Sequence, residues 1–396
     1  MHMNAIIMGM GQQGKAVIHD LESCDLIKKI VAMDIFSSQE SKLKADKYIT
    51  ARGYLKTSTL NFTVNDEKEL AQCFAKLQAN IVICMLPIEL AVTVARAALL
   101  VTSPFVSSNY TYDLAGLHDG AVRSGTTILP EMGLDPGIDL ILGRLAIDEL
   151  DVVHGMYSYG GGIPAPECAD TSPIRYKISW TFDRVLDVYV RQAELMKNGR
   201  CCTIPGKEIF CPENFHEIEF ATVGRVEAYP NGDALRYIDI FELGPELQEM
   251  GRFALRWPGH AQFWRTMVQL GLLDEKPIEV EGQYISPRAF LARCLPPNLQ
   301  FAEEERDVAL LRVVAWGLKD GQKYKVIYDL IDYRDIATGL FAMNRTVGFT
   351  TSIAAQMILA GKIRKPGVLS PVRHVPCQDF LEEITRRGIT INKVTP

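Results

Sequence analysis

The run IIMGMGQQGKAV, residues 6–17, constrains the fold more than any other stretch of this chain. A short apolar strand, AIIMG, runs into glycines at the spacing Gly9-x-Gly11-x-x-Gly14, and a helical pattern, QQGKAVIHDLES, follows. That order, strand then glycines then helix, is what a dinucleotide-binding βαβ unit requires. Gly9 permits the tight turn, Gly11 lets backbone approach a pyrophosphate, and Gly14 lets the helix pack close to its strand. The helix N-terminus then offers free N–H groups and a partial positive charge to the phosphates. Met10, Gln12 and Gln13 complete the loop and are expected at the cofactor. The spacing alone also fits an ordinary turn; its place between strand and helix selects the dinucleotide reading.

The second strand, KIVAMDI, ends at Asp34, about 20 residues beyond the third glycine. A carboxylate there accepts hydrogen bonds from the adenine ribose hydroxyls and repels a 2′-phosphate. No arginine follows in FSSQESKLK, although Lys42 and Lys44 come later. NAD is therefore expected rather than NADP, with Ile35 beside Asp34 on the adenosine side. The strands NIVICML, PFVSS and TTIL alternate with the helical runs ELAQCFAKLQ, ELAVTVARAALL and DLAGLHDGAVRSG. Such alternation implies a doubly wound parallel sheet with helices on both faces. Ligands bind beyond the carboxyl ends of its strands. Met85, Leu86, Pro87 and Ser108 fall there and are expected to touch the cofactor; Asn109, and with it Tyr110, is expected to reach substrate.

EMGLDPGIDL, residues 131–140, follows the last of these strands. Pro136-Gly137 reads as a turn. Asp135 or Asp139 can cap the next helix, and Asp135 is also placed to meet an ammonium group on a substrate. Beyond it the pattern changes. GIDLILGRLAIDEL reads as a helix, and VVHGMYSYGGG as a strand entering a glycine-rich loop. TFDRVLDVYVRQAELMKNG reads as a long helix ended by Gly199. HEIEFATVGRVEAY and ALRYIDIF read as strands, and VALLRVVAWGLKDGQKYKVIYDLIDY as a hairpin around an Asp-Gly turn. TTSIAAQMILAG and a tail with FLEEITRRG read as helical. The second domain is thus expected to be a mixed α/β domain with a largely antiparallel sheet.

Composition narrows the partners. The formal net charge of −6 argues against nucleic acid, which wants a basic stripe. No apolar run has the length of a membrane span. The chain enters its first strand almost at once, so no signal peptide is expected. Nine cysteines show no Cys-x-x-Cys and no histidine pair completing a zinc pattern. They read as reduced thiols of a cytoplasmic protein with no metal site.

Five ordered motifs add a resemblance. GLDPGID, SYGGGIPAPE, RYKISW, LRWPGH and TVGFTTSIAAQMILAGKI, in that order and across nearly the whole chain, resemble the saccharopine dehydrogenase family, which includes glutamate-forming saccharopine dehydrogenases and lysine 6-dehydrogenases. The resemblance implies a Rossmann domain over 1–134 and a substrate-binding and dimerisation domain over 135–345. It also implies a C-terminal helical segment, 346–396, returning to the Rossmann domain, a small amino-acid substrate and a homodimer. GLDPGID, PAPE and EAYPNGDALRY look like the glutamate-forming enzymes. Asp34 and the run from ISPRAFLARCL to LKDGQKYKVIYDLIDY look as much like lysine 6-dehydrogenases. Two positions depart from the saccharopine pattern: Gly160 stands where a cysteine is common, and Gly232 where an arginine is. Both reactions oxidise a carbon bearing nitrogen, and hydrolysis of the imine gives 2-aminoadipate semialdehyde. The second product is glutamate or ammonia.

Saccharopine carries three carboxylates and needs cationic partners. Arg252 and Arg256 in GRFALRW share a face at a spacing of four, and arginine binds carboxylate bidentately; structural ion pairs are the alternative. In RYKISW, strand alternation puts Arg175 and Lys177 on one face. Lys177 would carry a proton if burial depressed its pKa, or it forms a salt bridge. Tyr159, Gly160 and Gly161 are expected in a loop close to ligand. Trp180 walls the pocket or packs in a core, and His260 caps the helix that begins there. The rival readings are lysine 6-dehydrogenase, a carboxynorspermidine-type dehydrogenase, and a non-catalytic sensor that binds NADH without turnover.

Overall fold

Buried strands separated by polar helix starts dictate the first sheet. The computed structural model describes residues 3–394. Its first part runs β1 (Met3–Met8), α1 (Gln12–Glu22), β2 (Ile27–Asp34), α2 (Gln39–Ala51), β3 (Thr57–Asn61), α3 (Glu67–Lys76), β4 (Ile81–Cys84), α4 (Ile88–Leu100), β5 (Phe105–Ser107), α5 (His118–Ser124) and β6 (Thr127–Leu129). Then come α6 (Ile138–Ile147), β7 (Val152–Pro164), α7 (Phe182–Val188), β8 (Ala193–Lys197), β9 (Arg200–Ile204), β10 (His216–Phe220), β11 (Gly224–Pro230), α8 (Ile238–Phe241), β12 (Glu249–Arg256) and α9 (His260–Gln269). A small hairpin, β13 (Ile278–Val280) and β14 (Gln283–Ile285), leads to α10 (Pro287–Cys294). The chain closes with β15 (Asp307–Lys319), β16 (Gln322–Tyr333), α11 (Ala342–Leu359), β17 (Gly367–Val368), α12 (Pro371–His374), α13 (Cys377–Arg386) and β18 (Ile391–Val394).

Two units emerge from the contacts. One holds the residues up to Ile141 together with Asn344–Ile389; the other holds Leu142–Met343 and the residues from Thr390. The division falls inside α6 and in the first turn of α11.

The first unit is a parallel sheet in the order β17-β6-β5-β4-β1-β2-β3. Apart from β17 this is the doubly wound order of a dinucleotide-binding fold. Ile6, Met8, Val31, Val82, Phe105 and Ile128 form one core with Phe74 and Val94 of the flanking helices. Both faces are covered, so the central strands are apolar throughout. Within the same unit α11 packs on α1: a Cβ on Gly348 would lie 2.6 Å from the Cβ of Ala16. Buried Asp20 of α1 accepts from Ser352 Oγ (2.6 Å), Gln356 Nε2 (2.8 Å) and Arg387 Nε (2.6 Å).

The second unit is built on a mixed sheet in the order β10-β11-β12-β7-β15-β16-β18, with β8 on β12 and β9 on β8. β12 and β7 run parallel; the other pairings are antiparallel. Alternation along a strand divides this sheet into two faces. Ala254 and Tyr229 join a core with Tyr176, Tyr189 and Trp264, while Phe253 and Leu255 join one with Tyr159, Val226 and Val308. The Asp-Gly turn between β15 and β16 has positive φ at Asp320 (51°) and Gly321 (73°), as a two-residue hairpin with right-handed strand twist requires.

Four expectations are corrected here. The run 181–199 is not one helix: α7 stops at Val188 and β8 follows, turning through Asn198 and Gly199 into β9. ALRYIDIF is helical, because Tyr237 and Phe241, four apart, are both buried. RYKISW is not a strand; Arg175 sits at φ 49°, outside the extended region. Gly160–Gly162 form no loop but lie inside β7, where a Cβ on Gly161 would come within 2.6 Å of the Leu255 carbonyl oxygen. The polar helix α2 and the half-exposed edge strand β3 were not expected from the sequence.

Candidate functional site

In the first unit the glycine loop leaves β1 and starts α1 at Gly11. Gly9 has φ 99°, open to glycine at little cost. A Cβ on Gly14 would lie 2.0 Å from the Gly9 carbonyl oxygen, so this position admits no side chain. A Cβ on Gly11 would meet nothing within 4 Å, which leaves open space over the backbone where a pyrophosphate belongs. Gln12 is held from outside the loop by Asn344 Nδ2 at 3.3 Å. Met85 and Leu86 line the inner side of the turn, within 3.2 Å of a Cβ built on Gly9. Asn109 Nδ2 donates to the Leu86 carbonyl at 3.1 Å. Pro87 is the residue from which α4 starts. These residues, at adjoining strand ends, fit a dinucleotide.

Asp34 closes the site at the end of β2. Its Oδ2 accepts from Met10 N (2.6 Å) and its Oδ1 from Ile35 N (2.7 Å). A carboxylate offers about four acceptor directions, so two ribose hydroxyls find room. The lysines farther on are engaged: Lys42 Nζ binds Asp46 at 2.7 Å and also contacts Thr59 Oγ1, and Lys44 binds Glu40 at 2.7 Å.

The GLDPGID turn folds tightly against these strand ends. A cis bond joins Asp135 to Pro136. Gly133 N donates to the Pro136 carbonyl, and Ile138 N and Asp139 N to Gly133 and Leu134. Gly133 packs against Ser108, and Thr351 Oγ1 of α11 donates to the Met132 carbonyl at 2.6 Å. Asp139 is buried and accepts from Gly137 N at 2.8 Å, a local cap. Asp135 therefore stands on a backbone fixed beside Ser108, whose neighbour Asn109 reaches the Leu86 carbonyl.

In the second unit Arg252 and Arg256 share one sheet face and both are buried. Arg252 stacks over Tyr237 (4.7 Å) and Arg256 over Tyr176 (5.4 Å). Arg256 Nη1 donates to its neighbour's carbonyl at Leu255, 2.7 Å away. Around it the Tyr176 hydroxyl and His260 Nδ1 are buried without a hydrogen-bond partner, and the Tyr229 hydroxyl meets that of Tyr189. Native proteins seldom leave such groups unpaired, so the cluster marks a place for a polar ligand or water. His260 is held neutral, its pKa pushed well down by burial and then by Arg256. It does not cap α9: Glu227 does, accepting from Gly259 N (2.7 Å) and Ala261 N (2.9 Å), while His260 Nε2 meets Tyr189 OH at 2.9 Å.

Other expected residues fall elsewhere. Tyr159 pairs with Phe253 and stacks on it, on the sheet face opposite Arg252 and Arg256. An open groove of about 850 Å³ lies on that opposite face, lined by Tyr157, Tyr159, Arg312 and Trp316, and includes neither Arg252 nor Arg256. Lys177 Nζ forms a buried ion pair with Glu305 at 2.5 Å. Burial raises the Glu305 pKa, but hydrogen bonds from Lys177 and Thr171 outweigh it and bring it down. The ammonium group is thus engaged by a carboxylate, the salt-bridge alternative that the sequence also offered. Arg175 binds Asp170 at 2.8 Å and covers Trp257. Trp180 is 37% exposed, too open for a core position. Gly232, at φ 68°, lies under the guanidinium of Arg191, a residue the sequence reading passed over.

A family model described as the saccharopine dehydrogenase NADP binding domain matches residues 5–129, and one described as the saccharopine dehydrogenase C-terminal domain matches residues 133–389. The chain belongs to the saccharopine dehydrogenase family. The first match lies wholly within the first unit; the second takes in the sheet of the second unit up to β16 and also Asn344–Ile389 of the first unit. A saccharopine dehydrogenase (NADP+, L-glutamate-forming) from Saccharomyces cerevisiae is 26% identical over 94% of this chain and 94% of its own length. The mitochondrial alpha-aminoadipic semialdehyde synthase of Bos taurus is 26% identical over 97% of this chain, which spans 47% of that longer protein. In fold, the chain is similar to an apo saccharopine dehydrogenase (L-Glu forming) from Saccharomyces cerevisiae, with a TM-score of 0.84 at 24% identity, covering 99% of this chain and 100% of that one. Among the described residues no helix is long and apolar enough to cross a membrane, and no cluster of acidic, histidine and cysteine side chains is placed to hold a metal.

Proposed function

We propose that this chain is an NAD-dependent saccharopine dehydrogenase of the glutamate-forming type. It would oxidise the C–N bond of saccharopine, with water, to 2-aminoadipate 6-semialdehyde and L-glutamate. The observation that carries this reading is the match over 94% of both chains to a yeast protein of that name. When bound, the dinucleotide supplies the hydride acceptor. The protein's own residues bind and orient. Gly9, Met10, Gly11, Gln12, Gln13 and Gly14 receive the pyrophosphate, with Met85, Leu86, Pro87 and Ser108 at the nicotinamide end. Asp135 and Asn109 meet the amino group and chain of the substrate. Arg252 and Arg256 supply guanidinium groups for carboxylates, and Trp180 offers an exposed ring as a pocket wall.

The cofactor choice rests on this chain's own residues. The matching family model and the yeast relative carry NADP in their names. Asp34 supports NAD, because a carboxylate at the end of β2 would accept from ribose hydroxyls and repel a 2′-phosphate, and the following lysines are already paired. The nine free thiols support a reducing, cytoplasmic setting, and a homodimer through the second unit completes the reading; light scattering tests it. The function is tested by initial rates of nicotinamide reduction with saccharopine, L-lysine and carboxynorspermidine. Turnover with saccharopine is expected. Turnover with lysine and release of ammonia would replace this reading, and tight NADH binding without turnover would favour a sensor.

A further inference from the structure

We infer that Arg191 is a carboxylate-binding, specificity-determining residue of the second unit. It sits in the turn between α7 and β8, half-buried. Its Nη2 donates to Asn231 Oδ1 at 2.9 Å and lies 3.3 Å from where a Cβ on Gly232 would be. With no side chain at Gly232, the guanidinium lies close against the YPNGD turn. Glu194 N bonds to the Gly232 carbonyl (2.9 Å) and Ala234 N to the Glu194 carbonyl (2.9 Å), so the turn and the chain carrying Arg191 are fixed to each other.

The guanidinium is presented without being used up. Its Nε is buried and has no hydrogen-bond partner, and among the described residues no carboxylate pairs with it. Arg256, 8% exposed, likewise has no carboxylate partner among the described residues; it donates to the Leu255 carbonyl and to the Tyr189 hydroxyl. Both cations act on Tyr229, whose hydroxyl pKa burial raises and the two arginines lower in part. The Tyr229 hydroxyl is also met by that of Tyr189, while the Tyr176 hydroxyl is buried and unpartnered. A buried Arg256 and a half-buried Arg191, neither paired with a carboxylate among the described residues and both acting on Tyr229, are a poor way to build a core, because an uncompensated buried charge is costly. They are a good way to build a receptor for a carboxylate, which arginine holds through two parallel N–H donors. A second guanidinium beside Arg256 gives the site capacity for a second carboxylate. This favours a dicarboxylic glutamyl arm over an amine such as lysine.

The inference rests on the saccharopine dehydrogenase reading, and its test separates the two. Arg191→Leu and Arg191→Lys are compared with wild type for saccharopine kinetics, dinucleotide binding and thermal unfolding. Loss of a hydrogen bond to a charged group corresponds to roughly a 10- to 100-fold effect. Arg191→Leu should raise KM for saccharopine by that factor with kcat held within about twofold, and Arg191→Lys should recover part of it. Unfolding temperature and NADH binding should not move. An unchanged KM in a folded Arg191→Leu protein overturns the inference, as does a loss confined to stability. If wild type does not turn over saccharopine, the proposed function fails, and glutarate binding by calorimetry decides Arg191. Wild-type binding weakened by Arg191→Leu supports it, and equal binding or none refutes it.

Discussion

Replacing Asp34 by asparagine should shift the dinucleotide preference of this protein toward NADP by a calculable amount. The Asp34 carboxylate is half-buried at the end of β2 and held by two backbone N–H groups. A 2′-phosphate on a ribose oxygen in contact with it would put the two anions roughly 5 Å apart. With an effective dielectric of about 50, between a protein surface and bulk water, each unit charge costs about 1.3 kcal/mol. A phosphate carrying about −1.5 to −2 then costs about 2 kcal/mol, or about thirtyfold. Asparagine removes the charge but keeps an acceptor for one of the two backbone N–H groups. Any disorder this causes in the glycine loop weakens both dinucleotides alike. The ratio of kcat/KM for NAD to that for NADP is therefore the readout. Wild type should favour NAD by at least about thirtyfold, and Asp34→Asn should bring the ratio within a few-fold of unity. The wild-type ratio should also shrink as salt is raised, since the charge is partly exposed. A wild-type preference for NADP would refute the reasoning outright.

Two further perturbations test individual assignments. Lys177→Met breaks a buried ion pair but leaves Glu305 with Thr171 Oγ1 and Ala302 N as donors, so urea unfolding should show a loss of about 3 kcal/mol. The shape of the pH–rate profile should not change; loss of one limb of that profile would mark Lys177 as a proton carrier. His260 titrates well below its ordinary value of 6.5 because it is buried beside Arg256. The unfolded chain therefore takes up a proton that the folded one refuses, and the His260 contribution is complete above pH 6.5 and falls as pH drops below it. The stability difference between wild type and His260→Gln should shrink by up to about 1.4 kcal/mol per pH unit there. A pH-independent difference would sink that assignment.

The two halves of the chain differ in how openly the sequence shows its structure. In the first unit, buried parallel strands appear as unbroken apolar runs such as IVIC and AIIM, and the glycine loop sits at the one place where its geometry is needed. What escaped notice there was polar: α2 buries only Ile49, and β3 is a half-exposed edge. In the second unit a change of period was missed. Phe182, Val185, Leu186 and Tyr189 follow a helical repeat, but Ala193 and Leu195 alternate, and Asn198-Gly199, with φ 49° and 70°, is a hairpin turn rather than a helix end. That Asn-Gly signal was present in the sequence. Reading it would have placed Arg191 just ahead of a strand; its contact with the YPNGD turn is long-range. Tyr159 was misplaced for a related reason. Once SYGGG is strand rather than loop, alternation sends Tyr159 to the face opposite Arg252 and Arg256. The gathering of Tyr176 and Tyr229 around Arg256 depends on contacts between distant segments, which no local pattern encodes.

The most direct measurement is product stoichiometry with purified protein, saccharopine and either NAD or NADP, quantifying L-glutamate, ammonia and reduced dinucleotide together. The account predicts one L-glutamate for each reduced dinucleotide, no ammonia, and faster turnover with NAD. Reduction without glutamate, ammonia from lysine in its place, or no reduction while NADH binds would contradict it.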